Sequence, residues 1–233
     1  MSSIVRSNGT NISIWNDKSG KNYNLTNTAY TGPTIVTTSA NPVGYTINYN
    51  GTNQFLSNLT MSPAANSTSV TLFAVFSYTD PANFGRLFDG FNPGSPDNFP
   101  VLRLSAGNPG IFNVVKGNGV AATPTSTVSN LWSTGLRIFS TVCTSTRDLS
   151  TFINGSAGNT GVVSSNAVNF SRITVGVANY LTGNFLPANI NEIVLYDTAL
   201  TPTQRQKVEG YLAWKWGLQA SLPSSHPYFS EKP

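Results

Sequence analysis

Charge is the scarcest property of this chain. Only 9% of its 233 residues are Asp, Glu, Lys or Arg, against about a quarter in an average soluble domain. The net charge is +4, and the basic residues are scattered with no run or stripe. That excludes the clustered charge with interleaved aromatics on which nucleic-acid binding rests. Cysteine is nearly absent too. Cys143 is alone, so no intrachain disulfide can form. Its place in the apolar run LRIFSTVCT reads as a small buried hydrophobe, not a nucleophile. The one histidine, His226, stands in the C-terminal tail with no acid beside it in sequence, and reads as a tail anchor. No apolar run approaches the ~20 residues of a membrane-spanning helix. The opening MSSIVRSNGT has no apolar segment of the secretory-signal kind. Membrane insertion is therefore not expected. Asn-x-Ser/Thr triplets recur, but a chain this rich in Asn, Ser and Thr produces them by composition alone.

What is present is strand material. Polarity comes from Asn, Ser and Thr, and 20 Gly and 14 Pro punctuate short apolar runs, the composition of an all-β sandwich with weakly charged faces. Strands are expected at NISIW, TIVTT, GYTINYN, NQFLS, SVTLFAVFSY, FPVLRLSA, IFNVV, LRIFSTVCT, LSTFI, RITVGVA and NINEIVLYD. SVTLFAVFSY is apolar on both faces and reads as a central strand. Asn50-Gly51 and Asn154-Gly155 are read as turns of the hairpin kind. No helical period occurs before residue 200, and no linker or repeat divides the chain, so residues 1–233 are read as one domain.

After residue 200 the pattern changes. Thr201 can cap a helix, with Pro202 first in it and Gln204 completing a capping box. Val208, Leu212 and Trp216, with Tyr211 beside them, form an apolar stripe, and Gly217 supplies the stop. One amphipathic helix over about 202–216 follows. Its stripe must lie on a sheet, because so short a helix is marginal alone. Arg205 and Glu209 can pair at i, i+4. Trp216 reads as core, whereas Trp214 points elsewhere, under the tail LPSSHPY or towards a partner.

INEIVLYDTALTPTQRQKVEGYLAWKWGLQASLPSSHPY resembles the C-terminal signature of concanavalin A-like lectin/glucanase domains of the laminin-G-like kind. WNDKSG, INYNGTNQFLS, TLFAVF and STFINGS resemble other parts of that family. The resemblance implies a two-sheet antiparallel jelly roll, found in large surface and structural proteins of bacteria, phages and giant DNA viruses. It implies no single function, since relatives cleave glycans, bind them or act as spacers. A virion or cell-surface setting, with other capsid or surface proteins as partners, is the expectation. Members of that family usually open with a short strand before the equivalent of SSIVRSNGT; here either the chain is a fragment of a longer protein or that strand is missing, and self-association through a sheet edge, or filling of that edge by Ser2–Val5, is the expectation.

Catalysis is not favoured. Glycoside hydrolysis generally uses two carboxylates about 5–9.5 Å apart, and no E-x-D-x-x-E strand motif occurs. Glu192 reads as a structural hydrogen-bonding acid. Calcium takes six to eight oxygens; Asp89 and Asp97 bracket DGFNPGSPDN, where an ordinary Gly/Pro turn is the favoured reading, and no cofactor is expected. A sugar site combines an aromatic platform with amides and carboxylates. Asp89, Phe91, Asp97 and Asn98 offer that mixture in one long loop, and Tyr180 and Asn184 in another. The favoured reading is a non-catalytic lectin-like module that binds glycan. The alternatives are a glycan-active enzyme with an unconventional site, and an architectural spacer or capsid-decorating protein.

Overall fold

The computed structural model describes residues 4–8, 10–27, 31–37, 44–62, 65–78, 85–92, 99–104, 112–113, 135–162, 168–178 and 180–233. Its strands, in chain order, are β1 (Ile4–Asn8), β2 (Asn11–Trp15), β3 (Leu25–Thr26), β4 (Thr34–Val36), β5 (Thr46–Asn50), β6 (Leu56–Asn58), β7 (Ala65–Ser67), β8 (Val70–Tyr78) and β9 (Arg86–Phe91). There follow β10 (Phe99–Leu104), β11 (Phe112–Asn113), β12 (Arg137–Cys143), β13 (Asp148–Ile153), β14 (Ser156–Val162), β15 (Val168–Phe170), β16 (Arg172–Val175) and β17 (Pro187–Tyr196). Helix α1 (Pro202–Trp216) and a 3-10 turn over Gln219–Ser221 close the chain.

The main ladder is antiparallel and runs β11-β10-β9-β16-β6-β3-β2-β4-β5-β17-β8-β12-β13-β14. Strand β2 is its corner. Ile14 and Trp15 pair with β3, while Asn11 pairs with Thr34 of β4. The ladder thus folds across β2 into the two layers of a jelly-roll sandwich. Strand β1 pairs with β2, Ile4 opposite Trp15 and Val5 opposite Ile14, so Ile4 and Val5 of the expected Ser2–Val5 segment pair, whereas Ser2 and Ser3 lie outside the described residues.

Strand β8 is buried at every position because each of its faces meets a core. Leu72, Ala74, Phe76 and Tyr78 join Ile12, Ile47, Phe139 and Ile190 between the layers. Phe73 and Val75 point outward, against Ile138, Leu212, Ala213, Trp216 and Leu222. The second core is the underside of α1. The helix starts with a full capping box, Thr201 with Gln204, has Pro202 in its first turn, and ends at Gly217 in the left-handed conformation. Tyr211 departs from the expected stripe: it is 49% exposed, with the Lys215 ammonium 5.5 Å from its ring centre.

Two turn expectations divide. Asn154-Gly155 is a two-residue hairpin turn, with φ 47° and 77° and Ile153 opposite Ser156. Asn50-Gly51 is not a hairpin. Strand β5 pairs with β4 and β17, and β6 with β3 and β16. The Asn50 N–H donates to Gln54 Oε1, and Asn50 Oδ1 accepts from the N–H groups of Thr52 and Asn53. These side-chain bonds turn the chain from one layer to the other.

Candidate functional site

The first expected site does not stand in a loop. Asp89 and Phe91 belong to β9, an inner strand between β10 and β16, with Thr174 opposite Asp89 and Arg172 opposite Phe91. They are 2% and 7% exposed. Strands on both sides and a core beneath leave them no ligand surface, which corrects the loop reading. Asp97 and Asn98 lie outside the described residues.

The structure brings the second expected pair, Tyr180 and Asn184, together. Asn184 Nδ2 donates to the Tyr180 hydroxyl at 2.6 Å, and Tyr180 is 53% exposed. The turn that carries them is tied by backbone bonds: Leu181 N–H to Ala178 O at 2.9 Å, Leu186 N–H to Gly176 O at 2.8 Å, and Arg86 N–H to Asn184 O at 3.3 Å. Leu181 and Asn184 both take positive φ, 63° and 55°, a conformation that the surrounding bonds must hold. Next to Asn184, Phe185 packs against the fully buried Phe55 with ring centres 6.3 Å apart. The result is an exposed aromatic ring hydrogen-bonded to a neighbouring amide. Such a pair can stack on the apolar face of a sugar ring and bond to its hydroxyls.

A second cluster looks like chemistry and is scaffold. Ser140 Oγ donates to Glu209 Oε1 at 2.5 Å. Arg205 lies 2.6 and 2.5 Å from the two Glu209 oxygens, and its guanidinium stacks 3.5 Å from the Phe152 ring centre. His226 Nε2 is 3.4 Å from Glu209 Oε2, and His226 Nδ1 accepts the Tyr228 N–H. His226 therefore has an acid beside it after all, brought there by the tail folding back across the helix. The Arg205, Glu209 and His226 side chains are 8%, 0% and 1% exposed. No substrate reaches them, and Ser140 bonds directly to the carboxylate rather than to the imidazole. Their role is to lock α1 and the tail onto the sheet.

The rest of the tail follows the same logic. Trp214 Nε1 donates to the carbonyls of Tyr228 and Glu231, each at 3.0 Å, so Trp214 packs under the tail. Gly210 is where the tail crosses the helix: a Cβ there would stand 2.5 Å from Tyr228 Cβ. Trp216, 3% exposed, packs with Leu212 in the outer core, and Val208 lies against them. Trp216 Nε1 donates to Glu192 Oε2 at 2.6 Å, and Lys215 Nζ donates to Glu192 Oε1 at 2.9 Å. Burial alone would lower the Lys215 pKa, but the Glu192 bond and charge outweigh it and hold the ammonium above its ordinary value. Asp17 is shifted the other way. Burial would raise its pKa, yet bonds from Ser19 and Tyr23 prevail and lower it. Among the described residues no three His, Cys, Asp or Glu side chains gather as a metal site.

No protein-family model matches the chain, and no curated protein matches it in sequence. Solved structures match its fold. Trypanosoma rangeli sialidase in complex with sialic acid has a TM-score of 0.58 at 15% identity, over 88% of this chain and 32% of the sialidase chain. A native heptameric SAP-like pentraxin from Limulus polyphemus scores 0.55 at 16% identity, over 70% of this chain and 81% of that one. Domain 4 of an extracellular arabinanase from Geobacillus stearothermophilus, in complex with arabinotriose, scores 0.52 at 15% identity, over 74% and 78%. The chain spans about a third of the sialidase. These likenesses show the fold alone: an antiparallel jelly-roll sandwich.

Proposed function

We propose that this jelly roll is a non-catalytic, lectin-like module of a surface or virion assembly, and that it binds glycan through the Tyr180–Asn184 turn. The observation that carries the reading is the exposed Tyr180 ring, fixed in place by the Asn184 amide. Two fold neighbours hold sugars, arabinotriose in one and sialic acid in the other. Six of the described acids support the non-catalytic side. Glu209 and Asp89 are sealed. Glu192 is bound by Lys215 and Trp216, Asp17 and Asp148 accept turn bonds, and Asp197 pairs with Lys21. Hydrolysis would want two carboxylates facing one open substrate position.

A glycan array followed by titration tests the reading. Micromolar to millimolar binding, about −8 to −4 kcal/mol, is expected. Tyr180→Ala should weaken it at least tenfold with an unchanged melting temperature. Binding indifferent to Tyr180→Ala refutes this placement, and an array without any hit favours the architectural spacer. Reducing-end release from polysaccharides, abolished by Glu192→Gln, would establish the enzyme instead.

A further inference from the structure

Among the described residues, α1 covers only part of the outer face of the sheet containing β8. Along β4, β5, β17 and β8 one row of residues points into the inter-layer core: Ile35 opposite Ile47, Ile47 opposite Ile190, and Ile190 opposite Phe76. The adjacent row points outward, since neighbours in a strand alternate faces. It reads Thr34 opposite Asn48, Asn48 opposite Asn189, and Asn189 opposite Ser77. Further along β8 and β17 the same face carries Phe73, Val75, Val194 and Tyr196 beneath α1. The face is thus apolar under the helix and lined with amides and hydroxyls beyond its end.

Nothing in sheet formation asks for this row, because Asn is among the poorer strand residues. Thr34, Asn48 and Asn189 are half-buried. Asn48 Nδ2 donates to Asn189 Oδ1 at 2.9 Å. Whichever way the two amides are turned, one carbonyl oxygen and one amino group remain for another partner. A second polar pair flanks the row, with Thr46 Oγ1 donating to Asn191 Oδ1 at 2.8 Å. Towards the helix the strip ends at an aromatic wall, where Tyr45 meets Trp216 edge-on at 6.3 Å. The outward positions of β4 and β5, with Asn189 and Ser77, carry no charged residue.

We propose that this strip is a second binding site, separate from the Tyr180–Asn184 turn, and that it takes an uncharged glycan chain laid across the strands. Thr34, Asn48 and Asn189 stand on three neighbouring strands, and at about 4.8 Å spacing the accessible row is about 10 Å long, which suits linked sugar units better than one. Oriented amides and hydroxyls match sugar hydroxyls, which donate and accept. An anionic ligand finds no cation in the row. An extended peptide would look for a sheet edge or apolar pockets, and the row offers neither.

The test uses the full chain and an array of neutral oligosaccharides (glucan, mannan, galactan and arabinan series, from one to six units) beside sialylated, sulfated and uronate glycans. Neutral oligomers are expected to bind, with affinity rising at least tenfold from monomer to tetramer. Asn48→Thr/Asn189→Thr keeps strand-forming residues but removes both amides, and should abolish that gain. If the double variant does not fold, side-chain amide resonances of Asn48 and Asn189 in the wild-type protein supply the readout, and they should shift on adding a neutral tetrasaccharide. Hits confined to anionic glycans, no gain with length, a gain that survives the double variant, unshifted resonances, or an array without any neutral hit each overturn the proposal. Binding lost in Tyr180→Ala but kept in the double variant overturns the strip and leaves the turn standing.

Discussion

Under the helix the outer sheet face presents Phe73, Val75, Ile138 and Val194; the charges there are paired, Arg205 with Glu209 sealed and Lys215 with Glu192 partly exposed. Beyond the helix the same face presents Thr34, Asn48, Asn189 and Ser77 with no charge at all. The difference shows where a chain so poor in charge uses it. A sealed carboxylate must be fully bonded or it destabilises the fold strongly. Glu209 meets that demand by collecting Ser140, Arg205 and His226 from a strand, the helix and the tail. Amides carry no such demand. Half-buried, they tolerate an incomplete set of bonds because water completes it, and a ligand can later replace the water.

The sealed half should dominate stability. Trp216→Ala empties the outer core and strands Glu192 without its indole donor. A loss of about 3–5 kcal/mol is expected from a denaturant melt, as for other large aromatic deletions. A loss below about 1 kcal/mol would remove Trp216 from the core. Glu209→Ala leaves Arg205 sealed against Phe152 without its counter-charge, and about 3–5 kcal/mol is again expected. The double variant Arg205→Met/Glu209→Leu removes both charges and should recover much of that loss. If it is as unstable as the single variant, the cost lies in packing and not in the orphaned charge.

The two halves also differ in how far the sequence discloses them. The helix is legible to the residue because its ends are local: Thr201 and Gln204 cap one, and Gly217 turns left-handed at the other. Strand β8 is legible because the apolar run LFAVF at its centre faces both ways and has few other uses. Strand β9 hides because Asp89 and Gly90 interrupt its apolar pattern, although both are buried. Strand β14, SAGNTGV, has little strand propensity and is placed by the hairpin turn before it. The Glu209–His226 contact is illegible because a folded-back tail, not spacing, creates it. The amide row is legible by half. TINYN and ANIN show Asn alternating with apolar residues, the mark of a two-faced strand. That Asn48 meets Asn189 depends on a pairing across 141 residues, which no local signal announces.

The mildest test sets two serines of the same face against each other. Ser140 on β12 is 1% exposed and donates to Glu209 Oε1. Ser77 on β8 is 6% exposed and stands opposite Asn189, beyond the helix and away from the charge network. Both side chains lose the same single oxygen on substitution by alanine, so volume cancels in the comparison. Ser140→Ala removes a hydrogen bond to a sealed charge, worth about 1.5–3 kcal/mol. Ser77→Ala removes a hydroxyl that makes no bond to a charged group in the structure, and its effect should stay within about 0.5 kcal/mol. Paired denaturant melts read the difference directly. Equal losses would mean that the charge network contributes nothing specific, and the division of the face into a sealed half and an open half would fail as an account of stability.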